Sequence, residues 1–212
     1  MARDIDLWEQ AERGHVGARV YSWEGPWVSL GISQQRERDL LPGVTIPSVI
    51  RPTGGKAVLH GHDMTVGLAL PLSFLTVHGE APDFLRRRVR TVYRRAVPLL
   101  IRTLNQAGIR AALGDDTSLV RSTQKGVVDC FASVAPNDIV DPLTGQKVCG
   151  CALRLGQKSL LIQASIPVRL PLVDPKTVFR GPSSVSYSAL DSHAFVKALD
   201  FEVSKISTYG DF

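Results

Sequence analysis

The stretch RPTGGKAVLHGHDMTVGLALP, residues 51–71, sets two adjacent glycines, a lysine, two histidines and an aspartate among short apolar runs. A phosphate loop of the nucleotide-hydrolase kind would follow its lysine with Ser or Thr and then a helix. Gly54-Gly55-Lys56 leads instead into Ala-Val-Leu and then Met-Thr-Val-Gly-Leu-Ala-Leu, which reads as strand. Strands are therefore expected at 57–60 and 64–70, with Gly61-His62-Asp63 as a hairpin-like turn between them. A glycine pair lets the backbone approach a ligand and offers N–H groups to a carbonyl or phosphate; it also serves as a plain tight turn.

Working outward, residues 1–13 have the spacing of an amphipathic helix. Residues 18–24 and 27–33 read as a strand pair broken at Gly25-Pro26, and 33–41 as a short helix capped by Ser33. Residues 48–52 form a strand ending at Pro52. A long helix is expected over 83–108, stopped by Gly108 and kinked at Pro98. Three strands follow at 137–141, 146–155 and 159–168, joined by turns at 142–145 and 156–158. Residues 172–190, rich in Ser and Pro, are expected to loop over the surface. A helix over 191–206, capped by Asp191 or Ser192, closes the chain. With 212 residues, 44% of them hydrophobic and 21% charged, the pattern suits one mixed α and β domain spanning 1–212.

No apolar run reaches the roughly 18 residues of a membrane span, and the N-terminus lacks a signal-peptide core. A cytoplasmic protein with no membrane partner is expected. Cys130, Cys149 and Cys151 are too few and too poorly spaced for a disulfide framework or a metal site, so reduced thiols and no metal are expected. The net charge is +5, and Arg86, Arg87, Arg88, Arg90, Arg94 and Arg95 crowd the expected long helix. They form either a solvated face or a docking surface for an acidic partner. Nucleic acid is disfavoured, because no stacking aromatics or recognition motif accompany the charge.

Residues 51–71, together with GQKVCGCALRL at 145–155, resemble the biotin/lipoate protein ligase and octanoyltransferase superfamily. In that family Arg-x-x-Gly-Gly-x-x-Val-x-His and Gly-x-Lys-x-x-Gly-x-Ala face each other across an acyl-binding tunnel. The resemblance covers roughly residues 1–170. It implies an α+β fold: a mixed, largely antiparallel sheet flanked by helices, as in class II synthetase-like ligases. Arg51, Gly54, Gly55, His60, Gly150 and Ala152 would border the substrate, His60 as a hydrogen-bonder of the turn. Lys147 would contact the acyl carbonyl.

Cys130-Phe131 ahead of that lysine strand is similar to the ligase-like octanoyltransferases of the lipoate-protein ligase A family, where cysteine and lysine act as a dyad. The resemblance implies octanoyl transfer from acyl carrier protein, through a thioester on Cys130, to a lysine of a lipoyl domain or glycine-cleavage H protein. No cofactor would be needed. Lys147 could stabilise the thiolate and take part in proton transfer. Cys149 and Cys151 stand where the family has small residues. Gln163-Ala164-Ser165 departs from the family's His-Gly-Ser, His62 stands where an acidic residue is usual, and Asn137-Asp138 is similar to the ligases. An ATP-dependent lipoate-protein ligase and a non-catalytic acyl- or carrier-binding relative are the alternatives.

Overall fold

A computed structural model describes residues 1–77, 80, 83–119 and 126–209. Along the chain run α1 (Ala2–Glu12), β1 (Gly17–Tyr21), β2 (Trp27–Leu30), the short α2 (Arg36–Asp39), β3 (Ser48–Ile50), β4 (Val58–His60) and β5 (Asp63–Pro71). After them come α3 (Val89–Gln106), β6 (Ala112–Leu113), β7 (Ile139–Val140), β8 (Lys147–Leu155), β9 (Ser159–Pro167) and α4 (Ser192–Tyr209). A six-stranded sheet has the order β1-β5-β9-β8-β7-β6, antiparallel throughout. A three-stranded sheet has the order β3-β2-β4, with β2 and β3 parallel. The α+β class with a largely antiparallel sheet is the observed one.

The strand period of two sorts the large sheet's residues. Met64, Val66, Leu68 and Leu70 of β5, with Leu160, Ile162, Ala164 and Ile166 of β9, pack into the main core with the apolar stripes of α3 and α4. Phe195 is fully buried there, and a side chain of that size contributes about 1.5–3 kcal/mol by leaving water. Ala69 and Leu161 point the opposite way, against Ala11 of α1. Thr65, Gln163 and Ser165 share their parity, so the second face of the sheet becomes polar towards one end. The candidate site lies at that end.

Several expectations change. β1 and β2 are not a pair: β1 edges the large sheet, while β2 is central in the small one. β4 and β5 are likewise no hairpin. Gly61, at φ +102°, carries the chain from one sheet to the other, and a Cβ there would lie 2.4 Å from the Gly25 carbonyl oxygen. Ser33 does not cap α2; Gln35 does, its N–H donating to Asp39 Oδ2. Asp191 caps α4 by accepting from the N–H groups of His193 and Ala194. The tail carries the fully buried Phe179, whose backbone bridges to Leu40.

The arginine-rich helix starts later than expected, at Val89, and runs on through Pro98. Arg86, Arg87 and Arg88 would have met the positive end of its dipole, which disfavours helix at that position. The charges are also largely answered within the chain. Arg90 and Arg94 pair with Asp115, Arg94 with Asp116, Arg95 with Glu80 and Arg86 with Asp83. Among the described residues Arg87 pairs with no carboxylate, and Arg88 lies over the Phe84 ring. No helix among the described residues is long and apolar enough to cross a membrane.

Candidate active site

Arg51 follows β3 and turns inward, 4% exposed. Its guanidinium donates to the carbonyls of Gly54, Lys56 and Ser29 and to Ser29 Oγ, at 2.6–3.1 Å. One buried cation thus staples the Gly-Gly turn to β2. Burial pulls the Arg51 pKa down, with the Cys130 charge opposing, yet the group stays a cation at neutral pH. Gly55 has φ +85°, open to glycine at little cost. The turn passes so close to Gly31 that a Cβ on Gly31 would sit 2.2 Å from the Gly55 oxygen.

The Gly-Gly turn in turn holds the cysteine loop. Ala57 N–H donates to Val128 O and Cys130 N–H to Ala57 O, which sets residues 128–130 beside β4. Asp129 caps the turn Cys130–Ala132 by accepting from Phe131 N–H. Its other oxygen accepts from Ser184 N–H in the tail, and Ser186 Oγ donates to the Lys147 carbonyl. Burial, partly offset by those backbone donors and by Lys147 and Lys56, raises the Asp129 pKa.

Lys147 opens β8, where the pairing with β7 is irregular. Its Nζ lies 3.3 Å from Cys130 Sγ, 2.8 Å from the Cys130 carbonyl oxygen and 2.9 Å from Asp138 Oδ1. Burial alone would lower the ammonium's pKa. The charges of Cys130 and Asp138, and hydrogen bonds to both, outweigh burial and hold it above the usual lysine value. Lys147 is thus a fixed cation. Gly150 makes room for the contact: a Cβ there would stand 2.9 Å from Cys130 Sγ and 3.4 Å from Lys147 Cε. Gly150→Ala is expected to slow alkylation and acylation of Cys130 by on the order of 10²-fold, the usual cost of roughly 1 Å misplacement. Iodoacetamide kinetics, with a thermal melt close to wild type, check this.

Cys130 opens onto a narrow cavity of about 40 Å³ between the two sheets. Its walls include Arg51, Gly55, Lys56, His60, Gly150 and Ala152, and Gln163 and Ser165 of β9. Gly54, Gly55 and Ala152 also border a wider groove of about 620 Å³ that runs past Tyr93, Arg94 and Asn137. All eight residues singled out in the sequence therefore meet here, though in different capacities. Arg51 directs its donors to backbone carbonyls and the Ser29 hydroxyl. His60 is pinned between Ser29 Oγ at 2.7 Å and Asp63 Oδ2 at 2.8 Å, and stacks on Trp23. Lys147 reaches the sulfur from behind and is not among the residues that wall the cavity.

Gln163 does not stand free in the cavity. Its amide donates to Asp4 Oδ2 and accepts from Thr53 Oγ1, joining α1 to both sheets. Cys149 and Cys151 are free thiols with their sulfurs 3.7 Å apart. The hydrogen bond with Cys151, and burial, push the Cys149 thiol well up. Ser29, Gly31 and Asp129 went unnoticed in the sequence, and Lys56, weighed there only as a phosphate-loop lysine, was given no place in the site. Lys56 Nζ donates to Ser133 Oγ on the cysteine loop.

The lipoyl protein ligase A/B catalytic domain family matches residues 1–211. An octanoyltransferase LipM from Exiguobacterium sp. is 29% identical over 170 residues, covering 76% of this chain and 56% of that protein. Another, from Kyrpidia tusciae, is 28% identical over 187 residues, covering 84% and 64%. The chain thus spans less than two thirds of the length of these curated relatives. A lipoate-protein ligase A crystallised with ATP superposes with a TM-score of 0.67 at 19% identity, covering 96% of this chain and 78% of that one. A bi-partite lipoate protein ligase from Thermoplasma acidophilum, described with its E2 lipoyl domain, gives 0.64 at 16% identity over 96% and 78%. At such identities the two structures speak for the fold.

Proposed function

Since the chain belongs to the lipoyl protein ligase A/B catalytic domain family, we propose that it is an octanoyltransferase working through a thioester on Cys130. The observation that carries this reading is the Lys147 ammonium 3.3 Å from the sulfur of Cys130, a residue that lines a narrow cavity. The relatives named octanoyltransferase LipM support it. The donor is octanoyl-acyl carrier protein. Cys130 thiolate attacks its thioester carbonyl, the new C–S bond forms, and the carrier's thiol leaves. A lysine amine of a lipoyl domain or glycine-cleavage H protein then takes the acyl group as an amide. Lys147 acts as a cation facing the sulfur. Thioester exchange of this kind needs neither metal nor nucleotide.

Intact mass spectrometry after mixing with octanoyl-carrier protein tests the reading. One octanoyl group, removable by hydroxylamine and absent in Cys130→Ala, is expected; no adduct on the wild type would refute the covalent route. A second reading, an ATP-dependent lipoate ligase, is favoured by the 620 Å³ groove along Gly54 and Gly55 and by Asn137 in its wall. An absolute requirement for magnesium-ATP, with indifference to the loss of Cys130, would select it.

Arg87 and Arg88 are exposed cations near the mouth of that groove, where Val89 and Arg90 form part of the wall. We assign them to docking of acidic carrier proteins. Arg87→Glu with Arg88→Glu is expected to slow association of octanoyl-carrier protein about 10-fold at low salt, and little at high salt. Acylation by a small octanoyl thioester should not change. Carrier kinetics equal to wild type at every ionic strength would leave the arginines as a solvated face.

A further inference from the structure

We propose that Asp138 is the standing counter-ion of Lys147, a positioning residue needed chiefly in the half of the cycle when Cys130 carries no charge. The inference rests on the acyl-enzyme reading above. Lys147 is 5% exposed, and its ammonium faces two groups that can be anions, Cys130 Sγ at 3.3 Å and Asp138 Oδ1 at 2.9 Å. In the resting protein either one can balance it. Once Cys130 is acylated its sulfur is a neutral thioester, and of the two anions only Asp138 remains in contact, beside the neutral Cys130 carbonyl oxygen at 2.8 Å.

The other carboxylate whose field reaches Lys147 is Asp129. Its oxygens are taken by the N–H groups of Phe131 and Ser184, and no ion pair joins it to Lys147 among the described residues. An ammonium buried without a counter-charge costs several kcal/mol, so it would shed its proton or leave the site. Either event removes the cation that should receive the departing sulfur. In the transfer step the acceptor nitrogen attacks the thioester carbonyl and the C–N bond forms. The C–S bond then breaks, its electron pair returns to Cys130 Sγ as thiolate, and the nitrogen's surplus proton passes to solvent. The thiolate is released beside an ammonium that Asp138 has kept in place.

The backbone holds Asp138 independently of Cys130. Its Oδ2 accepts from Ala135 N–H at 2.7 Å, and its own N–H donates to the Ala135 carbonyl at 3.0 Å. Its carbonyl accepts from Gly114 N–H at 2.8 Å, and the carbonyl of Asn137 accepts from Tyr93 Oη at 2.7 Å. None of these contacts involves the sulfur.

The test separates the two half-reactions in Asp138→Asn. Octanoyl-carrier protein loads Cys130, the thioester is followed by intact mass, and a lipoyl domain is then added. Loading is expected within about threefold of wild type and transfer about 100-fold slower, so that the thioester accumulates. Transfer is read only from molecules that already carry the thioester, so unfolded protein does not contribute. A loss in loading as large as the loss in transfer, or transfer at the wild-type rate, overturns the role of Asp138 while Cys130 stands. Failure of the wild type to form a thioester overturns both.

Discussion

Cys130→Ala is expected to reduce octanoyl transfer by on the order of 10³-fold or more, the usual scale for loss of a nucleophile whose partners remain. Cys149→Ala and Cys151→Ala should keep most of the activity. The distinction follows from placement. Cys130 opens on the cavity with its sulfur 3.3 Å from the Lys147 ammonium, and Cys149 is fully buried with its thiol pushed up; Cys151 also lines the cavity, but its sulfur is 3.7 Å from that of Cys149. A coupled assay with a lipoyl domain as acceptor decides the matter. Transfer by Cys130→Ala near the wild-type rate would remove the thioester from the mechanism.

Lys147 should give the second large effect. Unit charges 3.3 Å apart interact by about 5 kcal/mol at an effective dielectric of about 20, while burying each ion costs several. The contact is therefore close to neutral for stability and consequential for the sulfur. Lys147→Ala removes the cation and leaves Asp138 buried and unpaired. Alkylation and acylation of Cys130 should fall about 10²-fold or more, with some loss of stability. Lys147→Arg keeps a charge that does not titrate. Because the ammonium is held above its ordinary pKa, the proposed role is that of a cation rather than a proton carrier, and arginine should recover at least about a tenth of the activity. A folded Lys147→Arg protein as inactive as Lys147→Ala would restore proton transfer to the lysine's role.

The residues that meet at the cavity were legible through the resemblance, carried by two separated motifs in the right order. Alone, Gly54-Gly55 reads equally well as a plain tight turn, and strand periodicity does not decide which way Lys147 faces. Partnership between strands was less legible. A glycine at positive φ suits a hairpin and a crossing between sheets alike, so Gly61 did not reveal that β4 and β5 part company. The same ambiguity hid the separation of β1 from β2. Charge counting showed six arginines near one helix but not the carboxylates at 115 and 116, which come close only after folding. Asp138 was visible only as half of an Asn-Asp pair, because its meaning depends on an ammonium that β8 delivers.

The contact between Ser184 and Asp129 bridges 55 residues of chain. A ribosome releases polypeptide from the N-terminus, so Cys130 emerges well before the segment that secures the turn beneath it. Until Ser184 arrives, the second Asp129 oxygen lacks its backbone donor, and until Ser186 arrives the Lys147 carbonyl lacks its hydroxyl. The pocket around Cys130 is therefore a late product of synthesis, and a nascent chain stalled before residue 184 carries the cysteine without the Ser184 contact that braces its turn.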